Sequence, residues 1–345
     1  MPMTCSLPAP RLLDPASVPS LRWGVIGTGI AAKFVRGIAA RTQQKVVAVA
    51  ARDAEKTRDF AAEHAIPTVH PDVDALLEDD DVDVVYIATP HPLHREQALA
   101  AIAAGKHVLI EKPIAMSAGE AREILDAGRA AGVLVTEAMW TRYLPQADVI
   151  RQVLDAGALG DVSLVRADFG FVMPMDPEHR LWSPELGGGA MLDAGVYPVS
   201  FASSVIGRPS AISAIGAVAG TGVDAAANIL VDTEGGAQAV LSTSLLASLP
   251  VEASIHGSAG RLEVASPFFG PTGLRLVLGS IGGDEIATWT DGTGGELHDG
   301  LGYQATAFAQ FVGEGLVESP VHPHEEIVSV MATIDEVRRQ IAAGA

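Results

Sequence analysis

In the stretch HVLIEKPIAM, residues 107–116, a lysine ends an apolar run. Val108 to Ile110 read as a buried parallel strand, so Lys112 stands at its carboxyl end, the edge at which open α/β sheets bind ligands. Pro113 fixes the backbone that follows, through a cis or a trans bond. An ammonium held there can stabilise a developing oxyanion and exchange a proton with it. A second set stands in GGGAMLDAGVYPVSF, where Asp193 and Tyr197 are spaced i and i+4 and share one helix face. Gly187 to Gly189 precede them and let the chain pass close to a ligand. Lysine, phenol and carboxylate together make a proton-relay triad. Either Lys112 or Tyr197 is the immediate acid or base, and Asp193 orients and polarises the pair.

Such a triad needs elements that hold it. From Leu21 the strand-like runs RWGVIG, KVVAVAA, VDVVYIA, HVLI and VLVTEAM alternate with segments of helical period. The helix from Ser117 opens in capping-box spacing with Glu120 and closes at Gly132. This alternation predicts a doubly wound parallel sheet. Between the first strand and first helix, Gly27, Thr28, Gly29, Ile30 and Ala31 lead to Ala32 in a G-x-G-x-x-A pattern. Its first glycine permits a tight turn, its second lets backbone approach a pyrophosphate, and the helix N-terminus stabilises the anion. That predicts a bound dinucleotide, and places Lys112 where hydride transfer from a carbinol leaves a carbonyl and a proton. The second strand ends in VAARD, where Arg52 can stack on adenine and pair with a 2′-phosphate. NADP is therefore preferred and NAD possible. Asp53 either caps the next helix or contacts the ribose. Thr89 and Pro90 end the third main strand at the ligand face, and His91 and His94 follow. Thr89, Pro90, His94 and Glu111 are counted with the cofactor contacts.

Past residue 160, short β-branched alternating runs are separated by EGG, GSAG and GPTG, which predicts an antiparallel sheet built from hairpins. Helical period returns in GAMLDAGVYPVSFASSVIG and in HEEIVSVMATIDEVRRQIA. The fold class expected is α/β: an N-terminal Rossmann domain, residues 21–140, and a C-terminal α+β domain, 141–345, with a large, open, mainly antiparallel sheet. The C-terminal helix is a candidate to pack back on the Rossmann domain. Residues 1–20 read as a flexible leader. The net charge of −19 offers no basic stripe for a phosphate backbone, so a nucleic-acid partner is excluded. A single cysteine, Cys5, rules out an internal disulfide. No apolar run reaches the roughly 18 residues of a membrane span, and a cytoplasmic location is expected. The histidines lack metal-ligand spacing; HPH at 322–324 reads as the start of the last helix, and no metal is expected.

GVIGTGIAAKF, IATPHPLH, EKPIA and GGGAMLDAGVYPV occur in an order that resembles the Gfo/Idh/MocA family of oxidoreductases, over residues 21 to 342. EAMWTRYLP and the tyrosine in DAGVY are most similar to the dimeric dihydrodiol dehydrogenases and NADP-dependent aldose dehydrogenases. The resemblance implies that Lys112 is the EKP lysine and that Asp193 and Tyr197 are the second domain's catalytic pair. It implies a site between the domains and a homodimer or homotetramer formed through the C-terminal sheet. It also implies that His91, Trp140, Arg142 and Phe169 line the substrate pocket. The loop MPMDPEHRLWSPEL adds Arg180 and Trp182, since indole faces suit sugar or arene rings and arginine suits hydroxyls. The expected activity is NAD(P)-dependent hydride transfer at a hydroxyl-bearing carbon of a sugar, polyol or cyclic trans-diol. The alternatives are an NAD-dependent glycoside hydrolase of this fold and a regulatory NAD(P)-binding protein without turnover.

Overall fold

The computed structural model describes residues 6–281, 283–293 and 296–344; Cys5 lies outside them. The chain divides into two compact units, residues 12–143 with 295–328, and residues 1–11 with 144–294 and 329–345.

The first unit is the expected alternation. Its elements are β1 (Arg22–Ile26), α1 (Ala31–Arg41), β2 (Lys45–Ala50), α2 (Ala54–Glu63), β3 (Thr68–Val69), α3 (Val73–Leu77), β4 (Val84–Ile87), α4 (His94–Ala103), β5 (His107–Ile110), α5 (Ala118–Ala131) and β6 (Val135–Glu137). The strands form one parallel sheet in the order β3-β2-β1-β4-β5-β6. All four residues of β4 are buried, as a strand covered on both faces must be. Ser117 caps α5 by accepting the Glu120 amide at 3.3 Å, and Gly132, at φ 71°, closes it. Trp23 is fully buried, with Phe34 and Phe308 at ring separations of 5.3 and 5.2 Å and its indole N–H donated to Gln44.

The second unit holds α6 (Pro145–Asp155), β7 (Val162–Gly170), α7 (Val196–Ile206), β8 (Ala211–Val218), β9 (Asp224–Asp232), β10 (Gln238–Ser244), β11 (Ala253–Gly257), β12 (Gly260–Val264), β13 (Gly273–Leu278) and β14 (Asp284–Thr290). Its eight strands run β14-β13-β12-β11-β7-β10-β9-β8. All neighbours are antiparallel except β7 and β10, which are parallel. Hairpins alone therefore do not build it: the return from β7 to β10 passes through α7 and the β8–β9 pair. Side chains alternate as a one-sided sheet requires: Ala227, Ile229, Val231, Ala239 and Leu241 are buried, while Asn228, Leu230 and Asp232 are exposed.

Two helices complete the chain. α8 (Leu301–Gly313), for which no sequence signal was read, belongs to the first unit and supplies Phe308. α9 (His324–Ala343) begins in the first unit, where Glu325 pairs with Arg122, and ends in the second, where Gln340 bonds Ile212 and Ala214. Residues 6–20, read as a flexible leader, carry specific bonds. Arg11 pairs with Asp148 at 2.8 Å, Gln152 donates to the Ala9 carbonyl, and Asp14 caps a short turn at Pro15–Ser17.

Candidate functional site

The loop from Gly27 fits a diphosphate on two counts. A Cβ on Gly29 would meet nothing within 4 Å, so the chain itself does not demand that glycine. α1 also starts without a side-chain cap at Ile30, leaving its first amides open to an anion. Gly27 differs: its φ is 95°, and a Cβ there would lie 2.6 Å from the Ala88 carbonyl oxygen. Beyond β2, Asp53 caps α2 by accepting the Glu55 and Lys56 amides at 3.2 and 3.1 Å. The Lys56 amide holds its carboxyl below the usual carboxylate range. Arg52 beside it is exposed. Thr89 donates its hydroxyl to Gln97 at 2.6 Å.

Lys112 follows β5 and is joined to Pro113 by a cis bond. Buried side chains hold the backbone around it. The Lys112 amide donates to Glu111 Oε2 at 3.2 Å, and Tyr86 donates its phenol to Glu111 Oε1. Burial pushes the Glu111 carboxyl up, against the Tyr86 hydrogen bond and the Lys112 charge. His94 is fully buried, its Nδ1 3.0 Å from the Pro113 carbonyl and its Nε2 2.9 Å from that of Thr89. Burial lowers its pKa. Glu137, at the end of β6, accepts the Ile114 amide at 2.9 Å. His91 packs edge-on to His94 at 5.6 Å. Of the other residues expected here, Trp140 is buried and stacks with His298, and Arg142 is ion-paired with Glu326.

In the second unit, Asp193 sits in one turn of π-helix, Met191–Gly195, which runs on into α7 with Tyr197 in its first turn. Such a bulge shifts the i, i+4 relation read from the sequence. Asp224 fixes the start of this helix. It accepts the Met191 amide at 2.6 Å, and a Cβ on Gly189 (φ 117°) would lie 2.5 Å from its Oδ1. Both terminal guanidinium nitrogens of Arg180, Nη1 and Nη2, donate to Asp193 Oδ1 at 3.0 Å. Tyr197 lies 5.6 Å from Phe169 and 5.2 Å from Phe269, and those two phenylalanines stack at 4.6 Å. Trp182 is not a wall residue. It is wholly buried with Leu181, Ala190, Val223 and Leu245, and its N–H is donated to the Pro174 carbonyl.

The structure thus gathers Lys112 with Glu111 and His94 in one unit, and Asp193 with Arg180, and Tyr197 with Phe169, in the other. Tyr86, Asp224 and Phe269 were not read from the sequence; His322 was read only as part of the start of the last helix, and Glu137 only as an alternative ion-pair partner of Lys112. Glu137 had a signal, as the one charged residue in the apolar run VLVTEAM.

Residues 21–139 match the oxidoreductase family with an NAD-binding Rossmann fold, and residues 147–263 match the GFO/IDH/MocA C-terminal domain. The chain belongs to the Gfo/Idh/MocA family. It is an NAD(P)-dependent oxidoreductase acting on CH–OH groups. Among curated members, the trans-1,2-dihydrobenzene-1,2-diol dehydrogenase of Xenopus laevis is 35% identical over 325 residues, covering 93% of this chain and 98% of that one. The human enzyme of the same name is 34% identical over 327 residues, covering 93% and 97%. Among solved structures, a 3-ketoreductase from Actinomadura kijaniata in complex with NADP and TDP-benzene has a TM-score of 0.80 at 29% identity, covering 94% of this chain and 98% of its own. A levoglucosan dehydrogenase complexed with NADH and levoglucosan shares the fold, with a TM-score of 0.85 at 20% identity over 95% and 98%. No helix among the described residues is long and apolar enough to cross a membrane.

Proposed function

We propose that this family member transfers a hydride between NADP(H) and a hydroxyl-bearing carbon of a cyclic trans-diol, with sugars as the neighbouring substrate class. The bound nicotinamide supplies or accepts the hydride. Lys112 and Tyr197 are the acid–base groups. In oxidation the member of the pair that is deprotonated takes the hydroxyl proton; where that is the Tyr197 phenolate, the Lys112 ammonium stabilises charge developing on the oxygen. Asp193 orients and polarises them, and Arg180 holds the Asp193 carboxylate. The observation that carries the substrate class is the ring cluster of Phe169, Phe269 and Tyr197, which offers aromatic faces beside the proposed acid–base phenol. The identity with trans-1,2-dihydrobenzene-1,2-diol dehydrogenases over nearly the full length supports the same reading. NADP is favoured over NAD because Asp53 is engaged in capping α2, while Arg52 beside it is exposed.

The test is absorbance at 340 nm with NADP or NAD and a panel of trans-dihydrodiols and aldoses. Reduction of NADP by a cyclic trans-diol, with a lower KM for NADP than for NAD, is the expected result. Glycoside cleavage without net change at 340 nm, or no turnover across the panel, would overturn it. We also propose self-association through the exposed sheet face, on which Ile215 and Leu230 are 74% and 57% exposed. Light scattering on the purified chain reads that directly.

A further inference from the structure

We propose that the HPH segment, residues 322–324, positions Lys112 through the end of β6, with His322 and Glu137 as a buried pair that holds the backbone just after the lysine. This rests on the reading of Lys112 as an acid–base group. His322 and Glu137 are both fully buried. His322 Nε2 lies 3.3 Å from Glu137 Oε2, in ion-pair contact but without the alignment of a hydrogen bond. The other carboxyl oxygen, Oε1, accepts the Ile114 amide at 2.9 Å, two residues beyond Lys112. The second histidine of the motif grips the same strand: His324 Nε2 lies 2.9 Å from the Val135 carbonyl oxygen. The segment is itself tied down. The amides of Val321 and His322 donate to Ser319 Oγ, which in turn accepts the Tyr143 phenol at 2.8 Å.

The energetics favour a positioning role over simple packing. Among the described residues, Oε2 of Glu137 and both ring nitrogens of His322 have no hydrogen-bond partner. Buried polar atoms left in that state cost about 1–3 kcal/mol each. An apolar residue at position 137 would end β6 without that penalty. What it could not do is accept the Ile114 amide, which belongs to the peptide unit whose Pro113 carbonyl faces His94. His94 holds the Pro113 carbonyl and Glu111 holds the Lys112 amide, so Glu137 supplies the third fixed point of the loop.

The experiment compares Glu137→Leu, Glu137→Gln and His322→Phe with the parent chain. The readouts are kcat, KM for NADP, and the primary deuterium isotope effect with a dihydrodiol deuterated at its carbinol carbons. Glu137→Leu is expected to lower kcat by about ten- to hundredfold, the usual scale for a displaced catalytic group. KM for NADP should stay within about threefold, and the isotope effect should rise as the chemical step slows. Glu137→Gln keeps an oxygen for the Ile114 amide and should restore most of kcat. A residue needed only for folding would lower the active fraction and leave the isotope effect unchanged. If Glu137→Leu does not fold, His322→Phe decides, with an expected fall of about threefold or more and the same rise in isotope effect. Folded variants with the parent's kcat and isotope effect would overturn the inference. Lys112→Met separates the two levels. If it turns over normally, the reading of Lys112 fails; if it is inactive while Glu137→Leu is normal, only the positioning role fails.

Discussion

Gly27 and Gly29, two positions apart in one loop, are glycines for different reasons. At Gly27 the requirement comes from the fold: φ is 95° and the Ala88 carbonyl oxygen leaves no room for a Cβ. Left-handed backbone costs a non-glycine residue roughly 1–2 kcal/mol before any clash is counted. At Gly29 the space around a Cβ is open, so only a molecule outside the chain gives a reason to avoid one. Gly27→Ala should therefore lower Tm, together with activity. Gly29→Ala should leave Tm unchanged and raise KM for NADP about tenfold, the equivalent of roughly 1.4 kcal/mol of binding. Thermal melts and cofactor titrations of the two variants check this. A destabilised Gly29→Ala with normal cofactor affinity would show that the loop serves the fold at both glycines.

At the scale of elements, the turn that carries Asp193 depends on Asp224, at the start of β9. Its carboxylate accepts the Met191 amide and lies 3.6 Å from Arg338. Burial pushes this carboxyl up, while the Met191 amide and Arg338 pull it down less strongly. The folded chain thus binds the proton more tightly than the unfolded chain. The stability gained is complete below the unfolded aspartate range and is lost as pH rises through the raised value. Asp224→Asn keeps an acceptor for Met191 and carries no charge, so its stability relative to the parent should improve from about pH 4, the unfolded aspartate range, to pH 8. Asp224→Ala removes the acceptor as well and should be about 1–3 kcal/mol less stable than Asp224→Asn at either pH. Denaturant unfolding at both values reads the two effects, and a pH-independent difference for Asp224→Asn would refute the assignment. The contrast between Asp193 and Asp224 marks how much the sequence disclosed. β1, β2, β4, β5 and β6, the loop at Gly27, and Lys112, Asp193 and Tyr197 carried local signals: period, caps, glycines and spacing, whereas the two-residue β3 was too short to show one. α8 gave a weak signal because it is apolar nearly all round, with Gln304, Ala305, Thr306, Ala307, Phe308 and Ala309 all buried. The Asp224–Met191 and His322–Glu137 contacts gave none, because Asp224 reaches Met191 across 33 residues and His322 meets Glu137 from the far end of the chain. Trp182 misled for the opposite reason: an indole in a polar loop looks like a ligand face, and only packing against Val223 and Leu245 reveals a core residue.

At the scale of the whole molecule, the proposed acid–base groups come from different units, Lys112 from the first and Tyr197 from the second. Within the first unit Lys112 follows Glu111 and enters the loop bonded by His94 and Glu137, and within the second Tyr197 packs beside Phe169 and Phe269. A double-variant cycle tests the proposed pair for joint action. Lys112→Met and Tyr197→Phe should each lower kcat by about a hundredfold or more, the scale of a lost acid–base group. If both serve one proton transfer, the second replacement has little left to remove. The double variant should then fall well short of the product of the two single losses, as groups that act as a unit do. Residues that act on separate steps, or a tyrosine that only packs against the rings, would instead give losses that multiply. Single-turnover hydride transfer at saturating cofactor measures all four corners of the cycle. Multiplicative losses would refute a single proton transfer shared by Lys112 and Tyr197.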